Sequence, residues 1–136
     1  MKKLRLISLF SGYDSQALAL KYLGIDFEHY KTCEWAVKSI QACKDIHFKE
    51  DKTDYSKELS KEELIDWLTE KGISADYNQP MTREQIKRLG DTKLRTIYNN
   101  IKATHNLVNI SQVKGGDLGI ESRDKYEYIV TYSYPC

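Results

Sequence analysis

An apolar run at Leu4–Leu9 breaks into a turn around Gly12, and a helical pattern begins almost at once. Ala17, Leu18, Leu20 and Leu23 recur at helical spacing until Gly24 ends the series. A strand that turns straight into a helix at a glycine constrains the fold strongly. Parallel strands need crossover helices, and the handedness of such crossovers leaves few topologies. His29–Cys33 reads as a short second strand. Trp35–Ile46 reads as a second helix with Ala36, Val37 and Ile40 inward. Strand, glycine turn, helix, strand, helix is the opening of a doubly wound, Rossmann-like α/β sheet.

Residues 47–59 are polar and read as loop. Ser60-Lys61-Glu62-Glu63 is a capping-box pattern, and Leu64, Ile65, Trp67 and Leu68 follow before Gly72. Thr82-Arg83-Glu84-Gln85 repeats the pattern after Pro80, and another helical stretch runs from about Thr92 to His105. The spacing therefore predicts a helical insertion over 50–105 within a single domain, 1–136. Leu107–Ile110 reads as a third strand and Tyr126–Tyr132 as a fourth, giving about four parallel strands.

No apolar run approaches the roughly 18 residues that a membrane span requires, so no membrane partner is expected. The basic start, Met1-Lys2-Lys3, precedes too short an apolar stretch for a signal peptide. Three cysteines, an odd number, then argue for reduced thiols and a cytoplasmic protein. A net charge of +1 shows no overall basic surface for duplex DNA. The charge is uneven, however. Residues 45–70 carry nine acids and four bases, whereas 82–106 carry six bases against Glu84 and Asp91. Two solvated helical faces explain this, as does a basic helix turned toward a phosphate backbone.

The first N–H groups of a helix lack internal partners and favour an anionic or polar ligand. Gly12 lets backbone approach such a ligand closely. An acid at the end of the second strand, about 20 residues on, is where ribose hydroxyls are received in such folds. Glu34 sits 22 residues after Gly12, and the flat face of Trp35 beside it suits adenine. A surface acid and a core indole remain open for this pair.

Leu9-Phe10-Ser11-Gly12 resembles the first motif of the DNA cytosine-5 methyltransferases, which bind S-adenosylmethionine. Glu34-Trp35 falls where that family places its ribose acid and adenine-stacking residue. Asn109-Ile110-Ser111 is similar to the third motif, usually Asp-Ile, and Tyr134-Pro135-Cys136 to the start of Pro-Cys-Gln. Gly-Tyr-Asp-Ser-Gln with Thr-Tyr-Ser-Tyr-Pro-Cys looks like a phage-associated branch. The resemblance implies a partial S-adenosylmethionine-dependent methyltransferase sheet. It implies a cofactor site at Phe10, Ser11, Gly12, Glu34, Trp35, Asn109 and Ile110, with Cys136 as the catalytic nucleophile toward cytosine. It also implies DNA methylation of the restriction–modification kind.

The departures are informative. Tyr13-Asp14-Ser15 stands where the family has further glycines, and Asn109 where it has an acid; Gly116-Asp117-Leu118 is a second alignment for that motif. The glutamate that protonates cytosine, the target-recognition region and the last helix lie beyond Pro-Cys in the family. The chain alone is therefore expected to be inactive. It reads as a truncated enzyme, or as a subunit that meets DNA through a C-terminal part or partner. The alternative is a phage-type binding or inhibitor protein, directed against restriction or a nuclease, built on a methyltransferase remnant. A sheet cut after its fourth strand predicts self-association or a complementing subunit.

His29, Cys33, Cys43 and His47 have spacings that invite zinc, but no CxxC accompanies them, and the reading is no metal and buried thiols. Tyr126, Tyr128, Tyr132 and Tyr134 alternate on one side of the last strand. Packing against a helix is one role for them, and stacking on exposed bases the other.

Overall fold

The computed structural model describes residues 2–132. Its strands are β1 (Lys3–Leu9), β2 (Glu28–Cys33) and β3 (Tyr126–Tyr132), and they form one parallel sheet in the order β2-β1-β3. Helices α1 (Ser15–Tyr22) and α2 (Val37–His47) flank β2 in the chain. Helices α3 (Lys61–Lys71), α4 (Arg83–Lys87) and α5 (Asp91–Ala103) follow, and two 3-10 turns, Ile110–Gln112 and Gly115–Leu118, lead to β3. The class is α/β, with the parallel sheet and connecting helices of a partial Rossmann-like fold. No helix among the described residues is long and apolar enough to cross a membrane.

The expected capping boxes form. Ser60 Oγ accepts from Glu63 N–H while the Glu63 carboxylate accepts from Ser60 N–H, and Thr82 and Gln85 do the same for α4. Gly72 closes α3 in the left-handed conformation, a position that favours glycine. Helical residues supply most of the core: Ile40, Leu64, Ile65, Leu68, Ile73, Ile86, Leu94, Ile97 and Ile101 bury together with Val108. The central strand β1 adds Leu6 and Ile7.

Several expectations change. The strand expected at Leu107–Ile110 is reduced to one parallel bridge, Thr32 to Asn106, so the described sheet has three strands rather than about four. Val108 takes a left-handed backbone, φ 69°, which no strand sustains. Helix α2 begins at Val37 rather than Trp35. The Trp35 carbonyl accepts from Ser74 N–H and Val37 N–H donates to the Ser74 carbonyl, which holds Ala36 extended. Of the apolar positions in the first helical pattern, Ala17 is fully buried and Leu23 is 73% exposed. Tyr126 and Tyr128 take part in a cation–π cluster. With Tyr30 they surround the Arg5 guanidinium, 3.4 Å from the Tyr126 centroid and 4.3 Å from that of Tyr30. Tyr132 is exposed, and Tyr134 lies outside the described residues.

Candidate functional site

The turn between β1 and α1 is unusual. Phe10, Gly12 and Asp14 all have positive φ (54°, 54° and 64°), with Ser11 and Tyr13 between them. For a bulky residue such as Phe10 this costs about 1–2 kcal/mol, so surrounding contacts must hold it. Ser11 N–H donates to the Cys33 carbonyl at 3.2 Å and Asp14 N–H to the Ser11 carbonyl at 2.6 Å. The turn is thereby pinned to the C-terminal end of β2.

Asp14 stands where further glycine was expected, and its side chain turns inward. Its Oδ1 accepts from Ser8 Oγ–H at 2.9 Å and from Ala17 N–H at 3.3 Å, as the N-cap of α1. Burial raises its pKa, opposed by those hydrogen bonds. Behind the turn, His47 donates from Nε2 to the Tyr13 and Asp14 carbonyls, at 2.9 and 3.0 Å, and its Nδ1 lies 2.6 Å from Lys21 Nζ. That arrangement fixes the imidazole as the Nε2–H tautomer, with the lysine donating to Nδ1.

Glu34 follows β2 directly. Its Oε1 accepts from Gly12 N–H at 2.9 Å and its Oε2 from Ala36 N–H at 2.8 Å. Each oxygen retains a further acceptor position. Asn106 steadies the Glu34 backbone from the other side. Its Oδ1 accepts from Glu34 N–H (2.9 Å) and Val108 N–H (2.8 Å), while its Nδ2 donates to the Glu34 carbonyl (2.8 Å).

A cavity of about 710 Å³ opens beside this carboxylate, a size typical of small-molecule sites. Phe10, Gly12, Glu34, Trp35, Asn109 and Ile110 all line it, so six expected residues from three separate segments meet in one place. Ser11 does not line it. Its side chain is buried, and its backbone serves the turn. Cys136 lies outside the described residues. Asn109 also acts as a cap, since its Oδ1 accepts from Ser111 N–H at 3.0 Å and Ser111 Oγ–H at 2.7 Å. Asp117, from the second alignment, lies on a different cavity.

Sequence reasoning missed one wall. Tyr77, Asn78 and Pro80 line the cavity from the loop after α3. That loop is stiffened by Asp76 Oδ1, which accepts from Asn78 and Gln79 N–H, and it is tied to α2 through the Ser39 and Tyr77 hydroxyls, 2.9 Å apart. The Asp-x-Asn/Gln run signals a turn, but nothing in it signals where the turn docks. Cys33 also lines the cavity, yet its thiol faces the Val108 carbonyl at 3.5 Å, and burial pushes its pKa up to about 12. Cys43 is shifted to about 12 for the same reason. Both are poor nucleophiles. Of the four residues at zinc-like spacing, His29 and His47 lie with ring centroids 4.8 Å apart and tilted by 43°, while the Cys33 thiol donates to the Val108 carbonyl.

No protein-family profile matches the chain. It is 34% identical, over 137 aligned positions, to the orphan methyltransferase M.SssI of Spiroplasma monobiae. The alignment takes in 99% of this chain and 34% of that protein, so the chain spans about a third of its relative's length. The chain is therefore related to a methyltransferase.

Proposed function

We propose that this methyltransferase-related chain is the N-terminal, cofactor-binding and nucleophile-bearing part of a DNA (cytosine-5) methyltransferase. One observation carries the reading. Glu34 and Gly12 are 22 residues apart in sequence, yet they join by a hydrogen bond at the edge of a cavity large enough for a nucleoside.

The residues present fit S-adenosylmethionine. The open lone pairs of the Glu34 carboxylate suit two vicinal ribose hydroxyls, and two backbone N–H groups already set its orientation. Trp35 and Ile110 offer apolar faces for an adenine ring. Space beside Gly12 is open, since a Cβ there would meet nothing within 4 Å. When bound, S-adenosylmethionine supplies an electrophilic sulfonium methyl group. On this reading Cys136 attacks the target cytosine, and the helical segment 50–105 is an insertion in the sheet topology. DNA would be met through further polypeptide, in the same chain or a partner, and this chain alone would not transfer methyl groups. A phage-associated, restriction–modification setting is the wider context we propose.

Calorimetric titration of S-adenosylmethionine into the chain, with Glu34→Ala alongside, tests the cofactor half. Saturable binding that the variant loses is the expected result. No binding at millimolar ligand would sink it and favour the alternative, a phage-type binding or inhibitor protein on a methyltransferase remnant.

A further inference from the structure

A second cavity, of about 310 Å³, lies on the outer side of β2 and shares no lining residue with the first. Its walls bring together Lys31 of β2, Trp67 and Lys71 of α3, Lys102 of α5, and His105 just beyond α5. Both helical lysines lie over the same indole. Lys71 Nζ is 5.3 Å from the Trp67 ring centroid and Lys102 Nζ is 5.0 Å from it. The two ammonium groups are therefore at most about 10 Å apart, roughly one Debye length at 0.1 M salt. Lys31 Nζ sits 5.2 Å from the Tyr30 ring.

What marks this place is that its three lysines meet around one cavity and one indole, without a carboxylate partner among the described residues. Arg83 pairs with Glu62 and Asp66, and Arg95 with Asp91. None of Lys31, Lys71 and Lys102 has a carboxylate ion-pair partner among the described residues. Asp117 is the acid on the cavity wall, and its Oδ2 already accepts from Lys114 N–H at 2.8 Å. His105 lies 3.0 Å through Nδ1 from the His29 carbonyl, to which it donates. Three unpaired cations around a concave, aromatic-walled site raise the local positive potential, and a compact polyanion relieves it.

We propose that this cavity binds a phosphate-bearing ligand, either a backbone phosphate of nucleic acid or a free oligophosphate group. The proposal does not rest on the cofactor reading, because the two cavities are separate.

The two tryptophans provide the test, one in each cavity. In ¹⁵N-labelled protein their indole N–H signals are followed while sodium tripolyphosphate, and separately a short DNA duplex, is added. The Trp67 signal is expected to move saturably, and Lys71→Gln with Lys102→Gln to weaken binding about tenfold or more. The Trp35 signal is expected to stay still with tripolyphosphate and to move with S-adenosylmethionine, so failure of one site is distinguishable from failure of the other. Response to the duplex alone assigns the phosphate to nucleic acid; response to tripolyphosphate shows that free phosphate suffices. A Trp67 signal that moves with neither probe, or moves equally in the double variant, overturns the proposal. If circular dichroism shows the double variant to be unfolded, the exposed single change Lys102→Gln gives the same reading.

Discussion

Glu34 holds Gly12 by its backbone: the carboxylate Oε1 accepts the glycine N–H at 2.9 Å, while Oε2 takes the N–H of Ala36 at 2.8 Å. A carboxylate is the side chain that can accept on both sides at once. Glu34→Gln therefore places an amide NH₂ against one of two N–H groups, whichever way it turns. Such a mismatch costs about 1–3 kcal/mol. The expected outcome is a lower urea midpoint and at least a tenfold loss of S-adenosylmethionine affinity, read by denaturation and calorimetry. An unchanged midpoint would show that the link is not made in solution.

Asn106 makes three hydrogen bonds to backbone groups of Glu34 and Val108. Asn106→Ala strands all three, at a cost of about 2–3 kcal/mol. Asn106→Asp retains the acceptor but loses the donor, so it should fall between. Thermal denaturation of the three proteins checks the order.

His29 sets an acid limit. Burial, together with the nearby His47, Lys21 and His105, lowers its pKa from 6.5 to about 3. The unfolded chain takes up this proton near pH 6.5, whereas the folded chain refuses it until about pH 3. Its contribution to stability is therefore complete above 6.5 and is lost as pH falls toward 3. Asp14 acts with the opposite sign: its raised pKa makes the folded state gain protons first as pH falls toward the ordinary carboxylate range. His29→Phe should remove the first effect and leave the protein no less stable at pH 7, since neither imidazole nitrogen has a hydrogen-bond partner. Urea midpoints from pH 7 to 4 would decide; an unchanged slope in the variant rules the account out.

Cys33 and Cys43 are buried and free, with pKa values near 12. In Cys136→Ser protein neither thiol should react with a disulfide reagent at pH 8, and both should react in denaturant. Rapid labelling of the folded variant would contradict the burial of both thiols.

Much of this arrangement is legible in the chain because it rests on local rules. The apolar run of β1, the Gly12 turn, the two capping boxes and the Gly12-to-Glu34 spacing follow from periodicity and short-range chemistry. What is not legible depends on long-range choices. Asn106 is a polar residue in a loop until it meets Glu34, 72 residues away. Leu107–Ile110 has the apolar character of a strand, but the left-handed Val108 and the Asn109 cap divert it into a 3-10 turn. Similarly, the alternation of tyrosines in β3 carries no sign that Tyr126 and Tyr128 meet the Arg5 guanidinium.

The register of the sheet also sets an order of assembly. β1 lies in the middle, and its ladder to β3 joins residues 123 positions apart, as between Arg5 and Tyr128. Closing so long a loop is entropically slow, and distant contacts delay folding. The apolar cluster of α3, α4 and α5 requires no such closure. During synthesis, β1 then acquires its β3 neighbour only after the helices between them have had time to collapse. Pulsed hydrogen exchange during refolding should find the helical amides protected before those that join β1 to β3.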